Sequence, residues 1–69
     1  MNGSVKNRFL KLIAKEMTAQ YNVSMEFAMD AIKRSAVNAL MDDCPEYVDH
    51  VPLSHLAQKV YEEVNSVLV

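Results

Sequence analysis

The chain has 69 residues, and its seven basic and nine acidic side chains give a formal net charge of −2. This length accommodates one domain over residues 1–69 with a thin core, too little for a cofactor-sized cleft between two domains. Hydrophobic residues make up 51% of the sequence, which excludes a disordered chain. Its single cysteine and the absence of a long apolar run exclude an internal disulfide and a transmembrane helix, and favour a cytoplasmic protein without membrane contact.

The first predicted helix covers residues 5–21. Residues 1–3 are expected to fray, with Ser4 as the N-cap. Asn22 is expected to end the helix because asparagine tolerates the left-handed conformation. Apolar residues recur at helical spacing and predict one buried face, formed by Leu10, Ile13, Met17 and Tyr21 and widened by Phe9 and Leu12.

The second helix is predicted to begin after an N-cap at Ser24. Its apolar stripe keeps one phase over residues 25–40, which favours a continuous helix, although Val37 and Met41 lie off the stripe. A break with Ser35 capping a separate helix is the alternative, because a bend would help to bury those two side chains. The stripe consists of Met25, Ala28, Met29, Ile32, Ala36, Ala39 and Leu40.

Two prolines mark the remaining elements. Pro45 suits the first position of a short helix or turn over residues 45–49, for which Asp42 or Asp43 is the expected cap. A last helix is predicted to begin at Pro52 or His55 and to run to residue 68. Its apolar face consists of Leu53, Leu56, Ala57, Val60, Val64 and Val67.

No segment shows the sustained alternation of apolar and polar residues that predicts a strand. We therefore predict an all-α fold, a small bundle of three long helices with one short helix or turn before the last. The chain also shows no internal repeat and no linker, so a single helical domain is expected.

Side chains that could support chemistry do not form a known pattern. Cys44, His50 and His55 are the soft or imidazole ligands of the chain, and their spacing matches no zinc motif. Nothing in the sequence supplies an oxyanion hole for Cys44, a glycine-rich phosphate loop or an isolated carboxylate pair. We therefore expect no enzyme activity, no metal and no cofactor.

A basic face on the first helix is the strongest indication of nucleic-acid binding. Arg8, Lys11 and Lys15 form it, and Lys33 and Arg34 could extend it. A helix-turn-helix would place its recognition helix at residues 35–43, which carry no basic residue and end near two aspartates. Together with the net charge of −2, this makes a small DNA-binding regulator the alternative hypothesis.

Surplus apolar side chains favour contact with other proteins. In a continuous second helix, Phe27 and Ala31 lie on one flank, and Val37 and Met41 lie on the other. Three helices cannot easily bury all four in a monomer core, so we expect these residues to form a self-association surface in a homodimer. The leading hypothesis is therefore a non-enzymatic helical protein–protein interaction module.

Several short motifs follow one another between residues 9 and 64. They are Asn22-Val23-Ser24, Ala36-Val37, Leu40-Met41-Asp42-Asp43, Tyr47-Val48-Asp49-His50 and Val60-Tyr61. In this order they resemble small all-helical bacterial domains of unknown function, some of which are encoded beside toxin-like genes. The resemblance implies an antitoxin-like or adaptor role with a partner protein from the same operon, and it implies no catalytic residues.

Overall fold

The computed structural model describes residues 3–68, with side chains through residue 65, and the regular elements in this part of the chain are all α-helices. They are α1 (Gly3–Tyr21), α2 (Met25–Arg34), α3 (Ala36–Asp43), α4 (Pro45–His50) and α5 (Leu53–Leu68). The all-α prediction is confirmed. Gly3 is helical, so the expected fraying is wrong for that residue; the fraying of residues 1 and 2 and the core position of the Val67 side chain lie outside the described part.

The two ends of α1 differ in how well local chemistry predicts them. The helix begins at Gly3, so Ser4 lies inside its first turn and the predicted cap is wrong. The first turn tolerates such residues because its N–H groups need no acceptor within the helix. At the other end Asn22 has a φ of 56°, and its N–H donates to the Thr18 carbonyl at 3.1 Å, as the left-handed stop predicts.

The second helix breaks at Ser35, so the alternative is correct and the continuous helix is wrong. Ser35 has an extended backbone, with φ −88° and ψ 164°. Its N–H and its hydroxyl both donate to the Ile32 carbonyl, at 3.1 and 2.8 Å, and its Oγ accepts from the Val37 N–H at 3.2 Å. One residue therefore ends α2 and caps α3. The predicted cap of α2 is confirmed, because the Ser24 Oγ accepts from the Phe27 N–H at 3.1 Å.

This break changes which residues of α3 face the core. An extended residue interrupts the rotation of about 100° per residue that a continuous helix would keep. As a result Val37 and Met41 are fully buried, whereas Ala36 and Ala39, which the continuous stripe would bury, are exposed. The bend therefore places in the core the two side chains that a straight helix leaves off its apolar face.

A side chain from α5 completes the N-terminus of α3. Both carboxylate oxygens of Glu63 lie 3.1 Å from the Ala36 nitrogen and accept its N–H. A carboxylate at this position also interacts favourably with the partial positive charge of a helix N-terminus. The break at Ser35 is thus stabilised by a residue 28 positions along the chain.

The start of α4 differs from the prediction in its cap. Cys44 occupies the N-cap position without a side-chain hydrogen bond, and Pro45 takes the first helical position as expected. Asp42 and Asp43 belong to the end of α3, so their predicted capping role is wrong. The Asp42 carboxylate is held instead by Lys6, whose Nζ lies 2.7 Å away and ties α3 to α1.

The core lies where α1 packs along both α2 and α5. The Tyr21 and Tyr61 rings stack near the C-terminal end of α1, with centroids 3.9 Å apart and planes 1° from parallel. Buried side chains from all five helices contribute; they are Leu10, Ile13, Ala14, Met17, Ala28, Ala31, Ile32, Val37, Met41, Val48, Leu56, Ala57 and Val60.

Candidate functional site

The predicted self-association surface is largely internal. Ala31 is 4% exposed, and Val37 and Met41 are fully buried, so these three residues belong to the monomer core. The prediction for them is wrong because it depended on a straight second helix. Phe27 is 41% exposed, with Met25 close by at 39%, and remains on the surface at the start of α2.

A different apolar surface lies on α1. Val5 and Leu12 are each 40% exposed, and Phe9 between them is half-buried and packs against the core. These residues follow one another at intervals of four and three, so they share one flank of the helix. We call this set of three residues the α1 strip.

The α1 strip is bordered by a groove. Pro45, Glu46 and Asp49 of α4 face Val5 and Phe9 across a concavity of about 310 Å³. Its floor is apolar, whereas the exposed Glu46 and Asp49 supply two carboxylates on the α4 side. We call these five residues the α1–α4 groove. It combines an apolar surface with an acidic edge.

The other edge of the α1 strip is basic. Arg8, Lys11 and Lys15 are exposed, and among the described side chains none of them forms an ion pair. Arg8 and Lys15 are seven residues apart and therefore lie on the same side of α1. The apolar strip thus separates a basic edge from an acidic edge.

Lys33 and Arg34, the other two predicted nucleic-acid contacts, add little net positive charge to this basic edge. Lys33 is exposed, but the Arg34 guanidinium lies 2.7 Å from the Asp30 carboxylate in an i, i+4 pair. The candidate recognition helix is α3, and it buries Val37 and Met41 while carrying no basic residue. Without Lys or Arg, α3 cannot neutralise the charge of a phosphate backbone.

The histidines line a second concavity, separate from the α1–α4 groove. Tyr47, His50, His55 and Lys59 line a concavity of about 330 Å³ between α4 and α5, with the Lys59 Nζ 5.7 Å from the centre of the Tyr47 ring. Cys44 is exposed at the junction of α3 and α4 and does not line this concavity. In the described part of the chain, no three His, Cys, Asp or Glu side chains are grouped to hold a metal ion.

Sequence reasoning missed the α1 strip because it assigned Phe9 and Leu12 to the buried face. A helical wheel places Phe9 at the border of that face but Leu12 about 100° from Ile13 and well away from it, and the structure agrees, since Phe9 packs against the core and Leu12 is 40% exposed. The signal that predicts the strip is the regular spacing of Val5, Phe9 and Leu12, of which Val5 marks only the start of the predicted helix.

Comparisons with protein-family models, curated proteins and solved structures found no significant match to this chain. Within residues 3–68, no helix is both long enough and apolar enough to cross a membrane.

Proposed function

We propose that this chain is a non-enzymatic helical protein–protein interaction module that docks through the α1 strip. The observation that carries the proposal is the exposure of Val5 and Leu12 on either side of a half-buried Phe9. Burial of apolar surface is the main favourable term in most protein association, and contiguous exposed apolar surface is typical of such contacts.

The other side chains support a binding role more than a catalytic one. Cys44 does not line the concavity that contains His50 and His55, which gives no support to a pairing of the thiol with an imidazole as nucleophile and base. Glu46 and Asp49 are exposed, and exposure does not provide the apolar surroundings that tune a catalytic carboxyl group.

The kind of partner follows from the resemblance to small bacterial domains. It supports an antitoxin-like or adaptor role in the cytoplasm, in contact with a protein from the same operon or with a second copy of this chain. Phe27 is the one member of the sequence-predicted self-association surface that remains accessible for such a contact.

Site-specific photo-crosslinking tests this proposal. A photoreactive phenylalanine analogue at position 12 should yield a discrete protein adduct in cells, because Leu12 lies in the docking face. The same analogue at the exposed Ser54 position of α5, outside both exposed apolar surfaces, serves as the control and should yield none. The absence of an adduct from position 12, together with a monomeric mass at high micromolar concentration, would contradict the proposal.

A small DNA-binding regulator is the second candidate, favoured by the exposed cations Arg8, Lys11 and Lys15, which form no ion pair with the side chains of residues 3–65. It predicts retention on heparin that falls steeply with salt, because each phosphate contact releases condensed counterions. No retention at low salt would remove this candidate.

A further inference from the structure

The spacing of the α1 strip is that of a short seam between paired helices. Val5, Phe9 and Leu12 occupy the d, a and d positions of a heptad, and Arg8 and Lys15 then occupy g positions along one edge. We infer that the α1 strip pairs with the same strip of a second copy of this chain, with the two α1 helices parallel. This inference rests on the proposed docking role of the strip and names its partner.

The charges on the two edges select the parallel orientation. In a parallel pair around a two-fold axis that runs along the helices, each basic g edge faces the opposite edge of the partner. Arg8 of one copy then faces the α4 edge of the other, which carries the exposed Glu46 and Asp49, and the contact occurs twice by symmetry. Lys6 lies on the same edge at an e position, but its Nζ is paired with the Asp42 carboxylate at 2.7 Å, so the carboxylates of α4 dominate the charge there. An antiparallel pair sets acidic edge against acidic edge, and the like-charge repulsion disfavours it.

The seam is short, so the dimer is weak. The next a position is Glu16, which would meet its symmetry-related copy, and the helices therefore diverge beyond Leu12. The strip spans about 10 Å of helix, which places the interface at the small end of specific contacts and the association in the reversible range. Lys15 lies two turns beyond Arg8, past the level of the acidic edge.

The second exposed apolar surface offers a poorer match to the groove. Met25 and Phe27 lie near Glu26 and Asp30 on α2, and Arg34 is already paired with Asp30 at 2.7 Å. Docking this surface into the α1–α4 groove would bring carboxylates against Glu46 and Asp49. A symmetric contact between two α1 strips avoids that repulsion and matches opposite charges.

Sedimentation velocity from low to high micromolar concentration tests the dimer. The wild-type chain should shift from monomer to dimer, and Leu12→Asp should remain monomeric with unchanged helix content, because it places a charge in the seam. Arg8→Glu should raise the dissociation constant of the dimer by about fivefold or more. Its matched control Lys15→Glu should change that constant by less than about twofold. Raising the salt concentration should reduce the difference between these two variants.

Mixing two charge-reversed variants makes the orientation testable even if a single variant is impaired. Arg8→Glu places negative charge opposite the acidic edge, and the double variant Glu46→Lys/Asp49→Lys places positive charge opposite Arg8. Each variant alone should be predominantly monomeric, and their mixture should form a heterodimer because both edges are then complementary. Failure of the mixture to associate would overturn the parallel arrangement.

Two other outcomes would overturn the inference for distinct reasons. A wild-type chain that remains monomeric at high micromolar concentration, but still crosslinks to a different protein from position 12, would refute the second copy and leave the docking role intact. A dimer that is broken by Phe27→Asp and tolerates Leu12→Asp would place self-association on α2 instead.

Discussion

Replacing Ser35 by alanine distinguishes a broken second helix from a continuous one by the sign of its effect. In the observed geometry the Ser35 Oγ accepts a hydrogen bond from the Val37 N–H at 3.2 Å, and the substitution removes this acceptor. Loss of an N-cap of this kind costs about 0.5–2 kcal/mol. In a continuous helix the same substitution would stabilise the protein by up to about 0.5 kcal/mol, because alanine is the better helix former.

The burial around Ser35 places the expected loss in the upper part of that range. Ser35 is 8% exposed and the Val37 side chain is fully buried, so water has limited access to the N–H that loses its partner. The Ile32 carbonyl keeps the Ser35 backbone N–H at 3.1 Å and is not left without a donor. We therefore expect a loss of about 1–2 kcal/mol, or about 4–16 °C in Tm for a chain of this size.

Urea unfolding followed by circular dichroism at 222 nm measures this change. The midpoint should fall for Ser35→Ala while the slope stays constant, because the surface exposed on unfolding is unchanged. Ser54→Ala, on the exposed face of α5, is the matched control and should lie within about 0.5 kcal/mol of wild type. Equal or greater stability of Ser35→Ala would refute the hydroxyl as a cap and restore the continuous helix.

The remaining predictions use the same titration. Glu63→Ala should lower the free energy of unfolding by about 0.5–1.5 kcal/mol, because it removes the carboxylate that accepts the first N–H of α3. Replacing its exposed neighbour Glu62 by alanine should change that free energy by less than about 0.5 kcal/mol. Similar values for the two substitutions would contradict the role of Glu63. Ile32→Ala should lose about 2–5 kcal/mol because the side chain is fully buried, and Lys15→Ala should change stability by less than about 0.5 kcal/mol. Equal small effects of these two substitutions would refute the assigned helix faces.

Local chemistry made several helix ends predictable from the sequence. The Ser24 cap, the left-handed Asn22 and the first-turn Pro45 each depend on hydrogen bonds or steric limits within a few residues. The all-α fold is predictable for the same reason, since helical periodicity is a local pattern. The candidate site was less accessible, because its exposed strip and the core face of α1 have the same spacing.

The break at Ser35 and the exposure of the α1 strip required the tertiary structure. At Ser35 the local sequence is compatible with both a continuous and a broken helix. The N-terminus that the break creates is completed by Glu63 from α5. The burial of Met41 follows from that break. Periodicity shows which residues share a helix face, but it does not show which faces other helices cover. That choice depends on contacts between residues far apart in the chain, so packing decided that Phe9, at the border of the core face, is only half-buried.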